Sequence, residues 1–161
     1  MKTVIVYYSL EGSTDSAARL IAEKTGADLI RLIPVKELPS GNFQKYFWGG
    51  KSAVFNEKPK LKNEAIDLSQ YEKIIIGTPV WAGTVAPPIL TFLTDYPFKD
   101  KKVFLFACHS GGGGEKCFAK LKTRLIGNSV TGKADFIEAI RDKEKENSVK
   151  MAAFCDAILK G

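Results

Sequence analysis

The sequence predicts an α/β fold, a three-layer arrangement with helices on both faces of a parallel sheet. Three observations predict it. Short apolar runs alternate with helix-period segments five times along the 161 residues, as in strand–helix units with right-handed crossovers. The clearest runs are apolar at nearly every position, as strands covered on both faces are. The turns after the first, third and fourth runs have unusual compositions, and they lie at the carboxyl end of the sheet, where open α/β folds bind ligands.

Thr3-Val4-Ile5-Val6-Tyr7-Tyr8 is the first strand. The period changes at Ser13, and Ala17, Leu20, Ile21 and Lys24 fall at helical spacing before Gly26 ends the helix. Leu29 to Ile33 is the second strand, stopped by Pro34. Lys73-Ile74-Ile75-Ile76-Gly77 is the third, followed by a loop from Thr78 to Gly83. The next helix has Pro87 and Pro88 in its first turn, where proline is tolerated, and carries Ile89, Leu90, Phe92 and Leu93. Val103 to Cys108 is the fourth strand, and Cys117, Leu121 and Leu125 mark the helix after it. Ala134 to Ala139 is the weakest strand signal. A last helix spans roughly 143–159, with Val149, Ala152, Ala153, Ala157 and Ile158 on its apolar side. Glu37 to Glu64 breaks the alternation; the segment is too long for a plain connection, and a partly helical excursion near function is expected.

Length and composition fit one domain over residues 1–161. Three cysteines without a CxxC pair suit a reducing compartment, and a single histidine excludes a histidine-rich metal site. No apolar run is long enough to span a membrane, and the start of the chain runs straight into a strand. The expectation is a cytoplasmic protein without membrane insertion. The net charge of +6 is spread along the chain. Lys99, Lys101 and Lys102 form the nearest approach to a cluster, with no aromatic stacking run beside them, so nucleic acid is not an expected partner.

The chemistry lies in three loops. Ser9-Leu10-Glu11-Gly12-Ser13-Thr14 joins a buried strand to a helix start. The helix end offers free N–H groups and a positive dipole, and Gly12 permits a tight anion-holding turn. Three hydroxyls and no cation suit a terminal phosphate monoester. Alone, the loop reads equally well as a capped turn. In Gly77-Thr78-Pro79-Val80-Trp81-Ala82-Gly83-Thr84, Trp81 offers a flat face for an aromatic ligand, or else caps the core. His109-Ser110-Gly111-Gly112-Gly113-Gly114 lets the backbone approach a planar ligand, or is a flexible turn opening a helix. His109 reads as a hydrogen-bonding residue rather than an acid or base, and Cys108 as a small buried residue at the strand end. Gly49-Gly50-Lys51-Ser52 resembles the end of a nucleotide-binding loop, but Lys45 stands where its first glycine is required.

Tyr7 to Thr14 resembles the phosphate-binding signature of flavodoxins, and Gly77 to Thr84 resembles their second flavin loop. The resemblance extends over the whole chain, with the three loops in order. It implies a five-stranded parallel sheet in the order 2-1-3-4-5 and the cofactor flavin mononucleotide (FMN). By the same resemblance, FMN contacts Ser9, Leu10, Glu11, Gly12, Ser13 and Thr14; then Thr78, Pro79, Val80, Trp81, Ala82 and Gly83; then Cys108, His109, Ser110, Gly111, Gly112 and Gly113. Glu11 stands where the family commonly has a hydroxyl residue, and it is expected to point outward, since a carboxylate facing phosphate is repulsive. In flavodoxins a peptide beside the stacking tryptophan rotates on one-electron reduction. The matching residue is Ala82, where glycine is frequent, and alanine resists positive φ by about 1 kcal/mol.

The implied function is soluble one-electron transfer between redox proteins, with no catalytic residue. The basic charge and the lack of a third-loop aromatic depart from typical carriers. They favour the alternative, an FMN-dependent reductase taking electrons from NAD(P)H to quinones or similar acceptors. A phosphate-binding interaction domain without flavin is opposed by Trp81 beside the glycine loop. Within the excursion, Phe43, Tyr46, Phe47 and Trp48 are expected to border the open flavin face or, equally, to fill a satellite core.

Overall fold

The computed structural model describes residues 2–36, 58–138 and 144–161. Most of the aromatic excursion, including Phe43, Tyr46, Phe47, Trp48 and Phe55, lies outside the described residues, as does the expected end of the last strand at Ala139.

Among the described residues, five parallel strands form the sheet: β1 (Thr3–Tyr7), β2 (Asp28–Arg31), β3 (Lys73–Trp81), β5 (Lys102–His109) and β6 (Ser129–Ile137). A two-residue strand, β4 (Thr84–Val85), pairs antiparallel with the end of β3. The order β2-β1-β3-β5-β6 is the expected 2-1-3-4-5 once the hairpin arm is set aside. Helices α1 (Ser13–Thr25), α2 (Pro87–Asp95), α3 (Gly114–Arg124) and α4 (Glu144–Lys160) cover it.

Strand residues alternate between two cores, as the pleat requires. Val4, Val6, Ile74, Ile76, Val103 and Leu105 face α2 and α3, packing with Ile89, Phe92 and Leu121. Ile5, Tyr7, Ile75, Phe104 and Phe106 face α1 and α4, packing with Ala18, Ile21, Phe154 and Ile158. This two-sided burial produces the unbroken apolar runs in the sequence.

Two helix faces differ from expectation. In α1 the buried stripe is Thr14, Ala17, Ala18 and Ile21, and Leu20 is exposed. In α4 the buried residues are Met151, Phe154, Cys155 and Ile158, while Val149 and the alanines at 152, 153 and 157 face outward. The spacing 151, 154, 155, 158 is that of one helix face, and its bulkier side chains fill the space above Phe104 and Phe106.

The second loop is also shorter than expected, because β3 continues to Trp81. The chain then reverses over Ala82 (φ 50°) and Gly83 (φ 71°), with Trp81 opposite Thr84. Two positive φ angles at the centre of a two-residue hairpin give the turn that matches strand twist. Ala82 is strained there, so Ala82→Gly is expected to raise stability by about 1 kcal/mol, or roughly 2–4 °C in calorimetric Tm. An unchanged or lower Tm would contradict the strained turn.

Candidate functional site

The loops after β1, β3 and β5 all leave the carboxyl edge of the sheet. In the first, the Gly12 N–H donates to Ser9 Oγ at 3.2 Å, and Gly12 takes a φ of 105° immediately before α1. Gly12 has no side chain to cap the helix, so the first-turn N–H groups of α1 face outward without a side-chain cap. Ser9 and Thr14 are buried, whereas Glu11 is exposed.

Sequence reasoning missed the support behind this loop. Arg31, the last residue of β2, stands beside Tyr7 in the sheet and donates from Nη2 to the Ser9 carbonyl at 3.1 Å. The Tyr7 hydroxyl donates to Asp15 Oδ1 at 2.6 Å, and Arg19 Nε donates to Asp15 Oδ2 at 2.8 Å. The Arg19 and Tyr7 hydrogen bonds hold the Asp15 carboxyl below its usual value. Burial, reinforced by the Asp15 bond, pushes the Tyr7 hydroxyl up to about 12. Only the placement of Arg31 at a strand end, next to β1, could have signalled this role.

In the second loop, the Thr78 hydroxyl is occupied internally, donating to the Pro79 carbonyl and accepting from the Ala86 N–H at 3.1 Å. Pro79 is buried, Val80 is half-buried and Ala82 is exposed. Trp81 is only 6% exposed and belongs to the α2/α3 core, edge-on to Tyr8 with ring centroids 5.8 Å apart. By strand alternation residue 81 would share the face of Ile75, but at the hairpin the indole joins the opposite core with Tyr8 and Val85.

In the third loop, Gly112 (φ 117°) and Gly113 (φ 90°) hold angles that favour glycine. A Cβ on Gly113 would sit 3.0 Å from Gly83 Cα and 3.2 Å from Val80 Cγ1, so this glycine is required by the contact with the hairpin. A Cβ on Gly111 or Gly112 would meet nothing within 4 Å, which leaves that stretch open to a ligand. Ser110 is exposed and His109 is buried.

The loops meet. The start of α1 and the end of β5 come together, with Ser13 and Cys108 lining one cavity. The Gly83–Gly113 contact joins the second to the third. Between these two lies a cleft of about 590 Å³, lined by Ala82, Gly83, His109, Gly112 to Lys116, and Asp135. Its size suits a flat heteroaromatic ring. The cysteines add no nucleophile: all three are buried, and burial pushes the Cys108 and Cys117 thiols up to about 12. The arrangement offers a backbone anion site and an open cleft beside glycine backbone. These fit the phosphate and the ring of a flavin nucleotide.

The flavodoxin family model matches residues 2–150. Among solved structures, a protein from Bacteroides uniformis described as a flavoprotein is 26% identical, with a TM-score of 0.76 over 90% of this chain and 96% of its own. A flavoprotein from Lactobacillus acidophilus in complex with FMN is 24% identical, with a TM-score of 0.72 over 91% of this chain and 98% of its own. Two-electron reduced flavodoxin from Megasphaera elsdenii is 22% identical, with a TM-score of 0.65 over 99% of this chain and all of its own. No curated protein matches the sequence significantly.

Proposed function

The chain belongs to the flavodoxin family and takes FMN as its cofactor; from that premise we propose that it carries electrons one at a time between redox proteins. Bound FMN supplies the redox chemistry, accepting and returning electrons. The chain's own residues bind it, orient it and limit access to it. Ser9 to Thr14 would hold the phosphate, through the α1 N-terminus and hydroxyls. Ala82, Gly83 and the backbone from His109 to Gly113 would border the ring, with Trp81 packed beneath the hairpin.

The observation that carries this reading is the convergence of the three loops, with Ser13 and Cys108 on one cavity and Gly113 packed against Gly83. A phosphate turn or a glycine loop alone is a common structural device; a hydroxyl-rich helix start at the same sheet edge as a ring-sized cleft has a use for a phosphorylated flat ligand. Both nitrogens of the His109 ring are engaged, so this ring is not a free acid or base.

Lys116 lines the cleft together with Glu115 and Asp135, and Lys120 Nζ donates to Thr84 Oγ1 at 2.9 Å beside the hairpin turn. The net charge of +6 favours a protein partner with an acidic surface.

A second reading, FMN-dependent reduction of quinones by NAD(P)H, is favoured by the openness around Gly111 and Gly112. No aromatic side chain of residues 109–114 covers that side. Anaerobic mixing with NADH and NADPH separates the two. The carrier reading expects the visible flavin spectrum to persist over minutes without a partner protein. Bleaching within seconds by either nucleotide would contradict it and favour the reductase.

A further inference from the structure

His109 is the last residue of β5, opposite Ile137, and its side chain is only 8% exposed. Its Nε2 lies 2.8 Å from Asp135 Oδ2, and its Nδ1 accepts the Gly112 N–H at 2.8 Å. We propose that His109 is the positioning residue of the glycine loop, its neutral Nε2–H ring holding the Gly111–Gly113 backbone ready for the flavin ring. This rests on the functional reading of the cleft given above.

Two independent contacts select that form of the ring. An N–H of Gly112 pointing at Nδ1 requires a bare nitrogen, because a proton there would set two donors against each other. A carboxylate at Nε2 requires a proton on that side. Asp135 stays a carboxylate: burial alone would raise its pKa, but the His109 hydrogen bond and the charge of Lys150 prevail and hold it below the usual value. The Lys150 ammonium is 3.6 Å from Asp135 Oδ1. The line of polar contacts Lys150–Asp135–His109 thus runs from α4 through β6 to the loop.

The loop needs such a tether. Four successive glycines lose more chain entropy on ordering than any other residues would. Nothing lies within 4 Å of a Cβ built on Gly111 or Gly112, so packing does not hold this stretch, whereas Gly113 is already fixed against the hairpin. The ring fixes Gly112 from the strand side. His109 itself is anchored, because its carbonyl accepts the Glu138 N–H at 2.8 Å. Ordering the loop beforehand lowers the entropy lost when a ligand binds.

The chain contains one histidine, so its ring ¹⁵N signals belong to His109 without further assignment. In FMN-free protein near neutral pH, the expected result is a protonated Nε2, a bare Nδ1 and a Gly112 amide slow to exchange. His109→Asn places an acceptor near the Nδ1 position and is expected to keep Gly112 protected, with FMN affinity within about threefold of the parent. His109→Gln reaches the Nε2 position, keeps a donor for Asp135 and abandons Gly112; it is expected to lose that protection and to bind FMN about tenfold more weakly, one hydrogen bond's worth. A side chain that only fills space would make both variants weaken FMN alike. That result, an Nδ1–H ring, or a glutamine variant of unchanged FMN affinity would overturn the proposal. The carrier reading is decided separately by the response to NAD(P)H.

Discussion

Trp81→Ala is expected to lose about 3–5 kcal/mol of stability, the range for removing a large aromatic from a core. The indole is 6% exposed and packs at 87° to the Tyr8 ring, in the cluster that contains Ile76 and Val85. It also sits opposite Thr84 and so holds the hairpin that forms one wall of the cleft. FMN affinity is expected to fall with the fold, since the wall loosens when its base is removed. Trp81→Phe should recover about half of the stability, because a smaller ring still fills part of the space. Denaturant unfolding and FMN titration on the same preparations check both. A Trp81→Ala protein of undiminished stability that no longer quenches flavin fluorescence would contradict the core placement and put the indole on the flavin.

Gly77→Ala is expected to be nearly as damaging, about 3 kcal/mol, through overpacking. Gly77 stands between Tyr7 and Phe106 in the sheet. A Cβ there would lie 2.1, 2.5 and 2.8 Å from three atoms of the Phe106 ring. That ring is fully buried and also packs against Phe136 and Phe154, so it has nowhere to retreat. Gly77→Ala combined with Phe106→Leu should cost less than the sum of the two single changes, by more than about 0.5 kcal/mol. Additive losses in a double-mutant cycle would show that the ring is not the obstacle.

The fold was legible where the physics is local or strongly periodic. β1, the central isoleucines of β3 and the phenylalanines of β5 are buried on both sides, and unbroken apolar runs follow directly. The start of α1 was legible because Gly12 and the hydroxyls around it suit only a turn into a helix. The end of β3 was not. Gly77 and Pro79 read as breakers, yet Pro79 lies beyond the last pairing with β1 at Tyr7–Gly77, and on its other side it aligns with Cys108. The strand therefore continues through the proline, and Trp81 is turned into the core. The front half of β6 was hidden for another reason. It is an edge strand whose exposed residues include Ser129, Thr131 and Lys133, and its register shifts opposite Val103 and Phe104. Gly132, whose Cβ would lie 2.9 Å from the Phe104 ring, makes room at that irregularity but reads as a turn. Within the site, the loops themselves were legible from composition. The partners that hold them were not, because Arg31 with Ser9 and Asp135 with His109 are brought together only by strand order.

The central claim is that the first loop holds a phosphate and the cleft between the second and third loops a flavin ring. Calorimetric titration of the FMN-free protein with FMN and with riboflavin, which lacks only the phosphate, tests this most directly. Two charge-assisted hydrogen bonds from the α1 N-terminus are worth about 3 kcal/mol or more, so FMN is expected to bind at least about a hundredfold more tightly than riboflavin. Equal affinity for the two would contradict the account.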